Sequence, residues 1–92
     1  MADVLVSRTF LKQYRTLPQD EQIRIKESLH HLEKDPFSPR PGADIKPLQG
    51  THPQKYRIRV GAYRIVYAVP DNNTIQVIEI FRRGRNYRSS HP

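Results

Sequence analysis

Residues 56–67 read YRIRVGAYRIVY, with two strand-like segments on either side of Gly61-Ala62. Aromatic and aliphatic residues fall at alternate positions on both sides of Gly61-Ala62, which is the period of a β-strand. Glycine accepts the positive φ that a type II′ turn needs at its first central position. The stretch therefore predicts a β-hairpin with strands at 56–60 and 63–69 and a two-residue turn between them.

The register of this hairpin places several arginines together. A two-residue turn sets Val60 opposite Tyr63 on the core side and Arg59 directly opposite Arg64 on the exposed side, with Arg57 beside them. Like charges directly opposite one another destabilise a sheet, so the arrangement favours a bound anion. The alternative is that the long side chains splay apart into solvent, where screening makes their repulsion small.

A second turn at 70–73 and a strand at 74–81 follow. Counting through an even-length turn predicts that Glu79 lies opposite Arg64, as a salt-bridge partner in preference to a catalytic base. The same count predicts an exposed apolar surface that a partner peptide could cover, formed by Ile75, Val77 and Phe81.

The first half of the chain predicts a short strand at 3–6 and two helices. Ser7 is the expected N-cap of the first helix, which Pro18 ends; its apolar face holds Phe10, Leu11, Tyr14 and Leu17. The second helix begins near Pro18 or Asp20 and closes at Asp35-Pro36, with an apolar stripe of Ile25, Leu29 and Leu32.

Residues 36–53 hold five prolines and two glycines, which predicts a connector without regular structure. The predicted fold class is therefore α+β. An N-terminal helical hairpin packs on one face of a small antiparallel sheet, in a single domain spanning residues 1–92.

Composition excludes several classes of protein. The chain has no cysteine, which rules out disulfides, thiolate metal sites and cysteine nucleophiles. The N-terminus does not have the pattern of a secretory signal, and the longest apolar run, 65–69, is too short to span a bilayer. We expect a soluble cytoplasmic protein with no membrane partner.

The net charge of +7 is concentrated in one half of the chain. Residues 1–44 hold seven basic and seven acidic residues, whereas residues 45–92 hold nine basic residues against Asp71 and Glu79. A concentrated positive field attracts phosphates, so the pattern favours a nucleic-acid partner over a basic surface kept for solubility.

The stretch 82–88 is basic and contains one aromatic residue, Tyr87. Arginine binds phosphate through a planar fork of donors, and an aromatic ring can stack on an unpaired base. The combination suits single-stranded RNA, although Tyr87 could equally pack back onto the sheet.

The order of these motifs resembles that of the RelE/ParE toxin superfamily, especially archaeal-type RelE. The resemblance covers nearly the whole chain. It is carried by the run Lys46-Pro47-Leu48-Gln49-Gly50, the strand motif at 63–67 and the basic stretch that ends at Tyr87.

The resemblance implies the toxin of a type II toxin–antitoxin system, a ribosome-dependent endoribonuclease that cuts mRNA in the decoding site. It also implies a cognate RelB-like antitoxin. Arg64, Arg83 and Tyr87 match the family's catalytic residues: the strand arginine, the arginine near the scissile phosphate and the base-stacking tyrosine. The predicted RNA and phosphate contacts are Lys55, Arg57, Arg59, Arg82 and Arg85.

The implied chemistry needs a proton acceptor. Arg57 and Arg59 fall where some members have lysines, and arginine is effectively always protonated. They can stabilise the pentacovalent phosphate and hold the RNA in line. The candidate bases are Lys55, Glu79, His52 or a group of the ribosome.

Neither a metal nor an organic cofactor is expected. His30 and His31 are adjacent on the second helix and point in different directions, which does not make a metal site. Two other functions stay open: a ParE-like inhibitor of DNA gyrase without nuclease activity, and a nucleic-acid-binding module that cleaves nothing.

Overall fold

The computed structural model describes residues 3–37, 44–52, 54–71 and 73–82. The elements run β1 (Asp3–Val6), α1 (Arg8–Arg15), α2 (Gln19–Lys34), β2 (Asp44–Leu48), β3 (Lys55–Val60), β4 (Tyr63–Asp71) and β5 (Thr74–Arg82). The five strands form one sheet in the order β1-β5-β4-β3-β2, which gives a mixed α+β fold.

The β3–β4 hairpin has the predicted register. Val60 pairs with Tyr63, Arg59 with Arg64 and Arg57 with Val66. Gly61 takes φ +57, the conformation expected at the first central position of the turn. The local pattern was sufficient here because the turn fixes which residues face each other.

The two helices begin and end close to the predicted residues. The Ser7 hydroxyl caps α1 by accepting a hydrogen bond from the Phe10 backbone N–H at 3.0 Å. Three residues separate α1 from α2, and α2 ends one residue before Asp35. Neither helix in the described part of the chain is long and apolar enough to cross a membrane.

The core lies between the helices and one face of the sheet, which we call the core face. Phe10, Ile25 and Leu32 supply the buried helical side chains. The sheet contributes Ile45, Ile58, Val60, Ile65, Tyr67, Ile75, Val77 and Ile80. Leu29, the middle residue of the predicted α2 stripe, is half-buried against this cluster.

The expectation that residues 36–53 contain no regular element was wrong. Residues 44–48 form β2, which pairs antiparallel with β3. Its Pro47 is compatible with a strand because β2 lies at the edge of the sheet, where a missing backbone N–H need not break a ladder. Buried Ile45 anchors β2 in the core.

The sheet is also not purely antiparallel. β1 pairs with β5 in parallel, with Val4 opposite Ile75 and Val6 opposite Val77. Strand direction across such a long separation in sequence depends on the path of the intervening chain, which no local pattern specifies.

A β-bulge in β5 overturned the exposed placement of Ile75 and Val77. Val66 pairs with Glu79 but Tyr67 pairs with Val77, so Ile78 is an extra residue in β5. One extra residue moves the following side chains to the other face. Ile75 and Val77 are therefore buried in the core, whereas Phe81, beyond the bulge, does lie on the side of Arg64.

Candidate nucleic-acid interface

The face of the sheet opposite the core face, which we call the open face, carries three rows of side chains across β2, β3, β4 and β5. The first row is Asp44, Arg59, Arg64 and Phe81; the second is Lys46, Arg57, Val66 and Glu79; the third is Leu48, Lys55, Ala68 and Gln76. These rows hold five basic and two acidic side chains, so the face is positively charged.

Val66 and Ala68 form an apolar floor at the centre of the open face. Each is only 2% exposed although neither belongs to the core cluster. The basic side chains therefore surround a strip of low polarity. Electrostatic attraction is stronger at such a surface than between fully hydrated charges.

Arg64 has no partner for its charge among the residues that the structure describes. Within the described ranges, its buried Nε makes no hydrogen bond, and no carboxylate lies within 4.0 Å of the guanidinium. A buried charged donor left unpaired is costly, by about 1–3 kcal/mol or more. Arg64 is thus positioned to donate to an acceptor from another molecule.

Arg57 and Arg59 share one carboxylate. Asp44 Oδ2 lies 3.4 Å from Arg59 Nη1, which donates to it, and 3.7 Å from Arg57 Nη1. The Arg57 contact is an ion pair without a hydrogen bond, since Nη1 is buried and makes none. The two arginines are therefore held together but only partly compensated.

Glu79 does not pair with Arg64, contrary to the expectation from the hairpin count. The turn after Asp71 is two residues long, because Asp71 pairs with Thr74. Two register shifts in the β4–β5 pair then offset each other, so Glu79 lies opposite Val66. No ion pair within 4.0 Å joins Glu79 to a basic group in the described ranges. Its carboxylate still faces the arginine side of the sheet.

The other predicted site residues separate into three groups. Lys55 is on the open face, in the row farthest from Arg64. Arg82 pairs with Tyr63 on the core-face side and lines a groove of about 540 Å³ beside α1 and α2, so it does not join the cluster. Arg83, Arg85 and Tyr87 lie outside the described residues.

Asp44 and Lys46 are the residues of this face that the sequence reasoning missed. They belong to β2, which lies within the predicted connector at 36–53. The alternation in Asp44-Ile45-Lys46, polar then apolar then polar, was the available signal, and buried Ile45 confirms it.

The described residues offer no obvious metal site. No three His, Asp or Glu side chains in that part of the chain come together as ligands. His30 instead lies 3.0 Å from the Glu33 carboxylate, one turn along α2.

Comparison with known proteins identifies the class to which this fold and basic face belong. A family model described as ParE toxin of type II toxin–antitoxin system, parDE, matches residues 4–87. The chain belongs to the RelE/ParE superfamily of toxins from type II toxin–antitoxin systems.

Individual proteins similar to this chain support the same family assignment. The putative toxin RelE1 of Methanocaldococcus jannaschii is 32% identical over 88 residues, covering 95% of this chain and 96% of the relative. The archaeal RelE–RelB complex of Pyrococcus horikoshii OT3 matches with a TM-score of 0.79 at 31% identity, over 92% of this chain and 98% of that one.

A more distant structure shares the fold. The isolated RelE toxin of E. coli gives a TM-score of 0.75 at 24% identity, over 98% of this chain and 93% of that one. The resemblance drawn from the sequence motifs is therefore confirmed at the level of family and fold.

Proposed function

We propose that this chain is a RelE-type toxin that cuts mRNA on the ribosome and so stops translation in the cytoplasm. The observation that carries the proposal is Arg64, whose buried Nε has no partner among the described residues and which lies between Arg59 and Phe81 on a basic open face. A phosphate is the anion that RNA would supply there. Guanidinium and phosphate make short, charge-assisted hydrogen bonds.

The proposed reaction is attack of a ribose 2′-oxygen on the adjacent phosphorus. The O2′–P bond forms, the P–O5′ bond breaks, and protons leave O2′ and reach O5′. Arg64, with Arg83 from the C-terminal stretch, stabilises the extra negative charge of the pentacovalent phosphate. Arg57 and Arg59 hold the backbone in line, and Tyr87 stacks on a base.

Lys55 and Arg85 complete the proposed phosphate contacts, and Arg82 is not among them because it lies on the core-face side. For the proton acceptor, Glu79 and Lys55 both face the arginine side of the sheet, and Glu79 is diagonal to Arg64 across the β4–β5 pair. His52 is exposed in the segment between β2 and β3. A ribosomal group is the remaining candidate.

The proposal takes residues 1–92 as one domain in which α1 and α2 form a hairpin over the core face. Its support is the shared core, where Phe10 of α1 and Ile25 and Leu32 of α2 pack with the sheet.

The decisive test is primer-extension mapping of translated mRNA with and without ribosomes. Arg64→Ala should abolish cleavage while circular dichroism shows an unchanged fold. Arg15→Ala, which removes an exposed arginine from the helix layer, is the matched control and should cleave normally. Cleavage at the wild-type rate by folded Arg64→Ala protein would overturn the proposed role.

A gyrase inhibitor is the second candidate function, because the matching family model is described as a ParE toxin. The protein would then bind gyrase and cut no RNA. Inhibition of DNA supercoiling by the purified protein, together with intact mRNA on translating ribosomes, would favour this function over the nuclease.

The proposed partner is a RelB-like antitoxin. The Pyrococcus horikoshii structure is a RelE–RelB complex, and so is that of Methanococcus jannaschii, which is 31% identical to this chain. A flexible acidic segment would match the basic open face. Charge reversal at Arg57 and Arg59 should weaken co-purification with such an antitoxin, whereas reversal at exposed Arg15 on α1 should not.

A further inference from the structure

The feature that the proposed function leaves unexplained is the carboxylate inside the arginine cluster. Asp44 begins β2, and its Cα pairs with that of Arg59. Its Oδ2 lies within 4 Å of both Arg57 and Arg59, at 3.7 and 3.4 Å. A cationic face selected only for phosphate affinity would not be expected to hold an anion at this position.

Asp44 occupies the position of an anion between two guanidinium groups. Its geometry suits the place of a phosphate oxygen, since it accepts from Arg59 and neutralises part of the charge of Arg57.

We propose that Asp44 is a built-in counter-ion that competes with RNA for Arg57 and Arg59. This competition lowers the affinity of the open face for RNA. Arg64 is then the arginine of the open face whose charge Asp44 does not compensate and which remains available to a phosphate. The inference rests on the proposed RNA-binding role of this face. It makes Asp44 a positioning and specificity residue, because an RNA strand binds well only when a phosphate reaches Arg64.

Arg57 and Asp44 differ in how far their side chains are exposed to solvent. The Arg57 side chain is 15% exposed and its Nη1 is buried, so it cannot turn freely into water to escape Asp44. Asp44 itself is 45% exposed, and its carboxylate can rotate away when a phosphate arrives. Asp44 therefore has room to move when RNA binds, whereas Arg57 is held in place by its burial.

The test compares Asp44→Asn with wild type in binding a short fluorescent RNA strand whose 2′-hydroxyls are methylated to prevent cleavage. Removing one negative charge about 4–8 Å from a phosphate should tighten binding by about 3- to 10-fold near physiological salt. The plot of log affinity against log salt should steepen by about 0.7, the value for one further phosphate contact on a single strand.

Glu27→Gln is the matched control. It makes the same change in net charge on α2, in the helix layer, where Glu27 is exposed. Its affinity for the RNA should stay within about twofold of wild type, because charges more than a Debye length apart are largely screened.

A double-mutant cycle separates direct competition from a general field effect. In an Arg59→Ala background, Asp44→Asn should gain much less affinity for RNA, because Arg59, the main site at which Asp44 competes with RNA, is gone. An undiminished gain in that background would overturn competition at Arg59. Equal binding by wild type and Asp44→Asn, weaker binding by the variant, or an equal gain in Glu27→Gln would each overturn the inference.

Failure of the proposed function would be seen separately. If wild-type protein leaves mRNA intact on translating ribosomes, the nuclease proposal fails, but a tighter Asp44→Asn complex with RNA still supports the counter-ion. If wild type cleaves and Asp44→Asn binds no more tightly, only the role of Asp44 fails.

Discussion

Arg64 is a residue whose position opposes stability. It lies opposite Arg59 and has a buried donor with no partner in the described part of the chain. Both features destabilise the folded state, the first by like-charge repulsion and the second by desolvation.

We therefore expect Arg64→Met to leave the free energy of unfolding unchanged or to raise it by up to about 1 kcal/mol. Urea denaturation measures this, with Arg15→Met on the exposed side of α1 as the control. A loss of more than about 1 kcal/mol for Arg64→Met alone would show that the side chain stabilises the fold after all.

Tyr67 is a buried phenol whose ionisation should make the fold sensitive to alkaline pH. It is fully buried, stacks on Tyr56 with ring centroids 5.6 Å apart, and its hydroxyl donates to the Pro36 carbonyl oxygen at 2.6 Å. Burial raises the pKa of Tyr67 well above its usual 10.0, and Tyr56 and Asp35 act in the same direction. The folded state thus holds the phenol neutral.

Because the folded pKa of Tyr67 exceeds the unfolded one, its contribution to stability is complete below pH 10.0 and is lost as pH rises above that value. Tyr67→Phe should cost about 1 kcal/mol at neutral pH, through the lost hydrogen bond, and should flatten the alkaline decline. Urea unfolding at neutral pH and near pH 10.5 tests both. A Tyr67→Phe protein that loses stability as steeply as wild type at alkaline pH would contradict this role.

The backbone conformation of the β3–β4 turn depends on Gly61. Gly61 has φ +57, a conformation that costs other residues about 1–2 kcal/mol. A Cβ there would also approach Arg24 Nη1 to 2.9 Å, but that atom ends a flexible side chain. The strain of a substitution is therefore in the backbone.

Gly61→Ala should lower the free energy of unfolding by about 1–2 kcal/mol. Gly50→Ala, at φ +75 with nothing within 4 Å of the added Cβ, should cost a similar amount. Adding Arg24→Ala to Gly61→Ala should recover little. If it restores most of the loss in chemical denaturation, side-chain crowding and not backbone strain is the cause.

The bulge in β5 is an element-scale feature with a structural anchor. The Ser7 hydroxyl donates to the Ile78 carbonyl oxygen, and the Ser7 backbone N–H donates to Val77 O at 2.9 Å. The residue that caps α1 therefore also holds the extra residue of β5. These two hydrogen bonds join the start of α1 to the bulge in β5, beyond which Ile75 and Val77 are buried.

At the scale of the whole molecule, charge is distributed unevenly between the faces. The net charge is +7, and five basic side chains lie in the three rows of the open face. Such a concentration attracts polyanions and also repels itself within the folded chain.

Added salt should therefore stabilise the free protein. We expect the free energy of unfolding to rise by a few tenths to about 1 kcal/mol between about 0.05 and 0.5 M NaCl, as screening weakens the repulsion. Arg59→Met should reduce this dependence, whereas Arg15→Met should change it less. A fall in stability over this range would mean that attractive ion pairs dominate the charge balance.

The local sequence pattern was enough to predict the β3–β4 hairpin, both helices, the Ser7 cap of α1 and the placement of Arg57, Arg59 and Arg64 on one face. Those features follow from side-chain period, turn chemistry and capping, which act over a few residues. No local pattern specifies the parallel pairing of β1, the pairing of β2 with β3, the bulge at Ile78 or the contact of Asp44 with the arginines. Each depends on hydrogen bonds or ion pairs between segments distant in sequence, whose partners exist only once the core has formed.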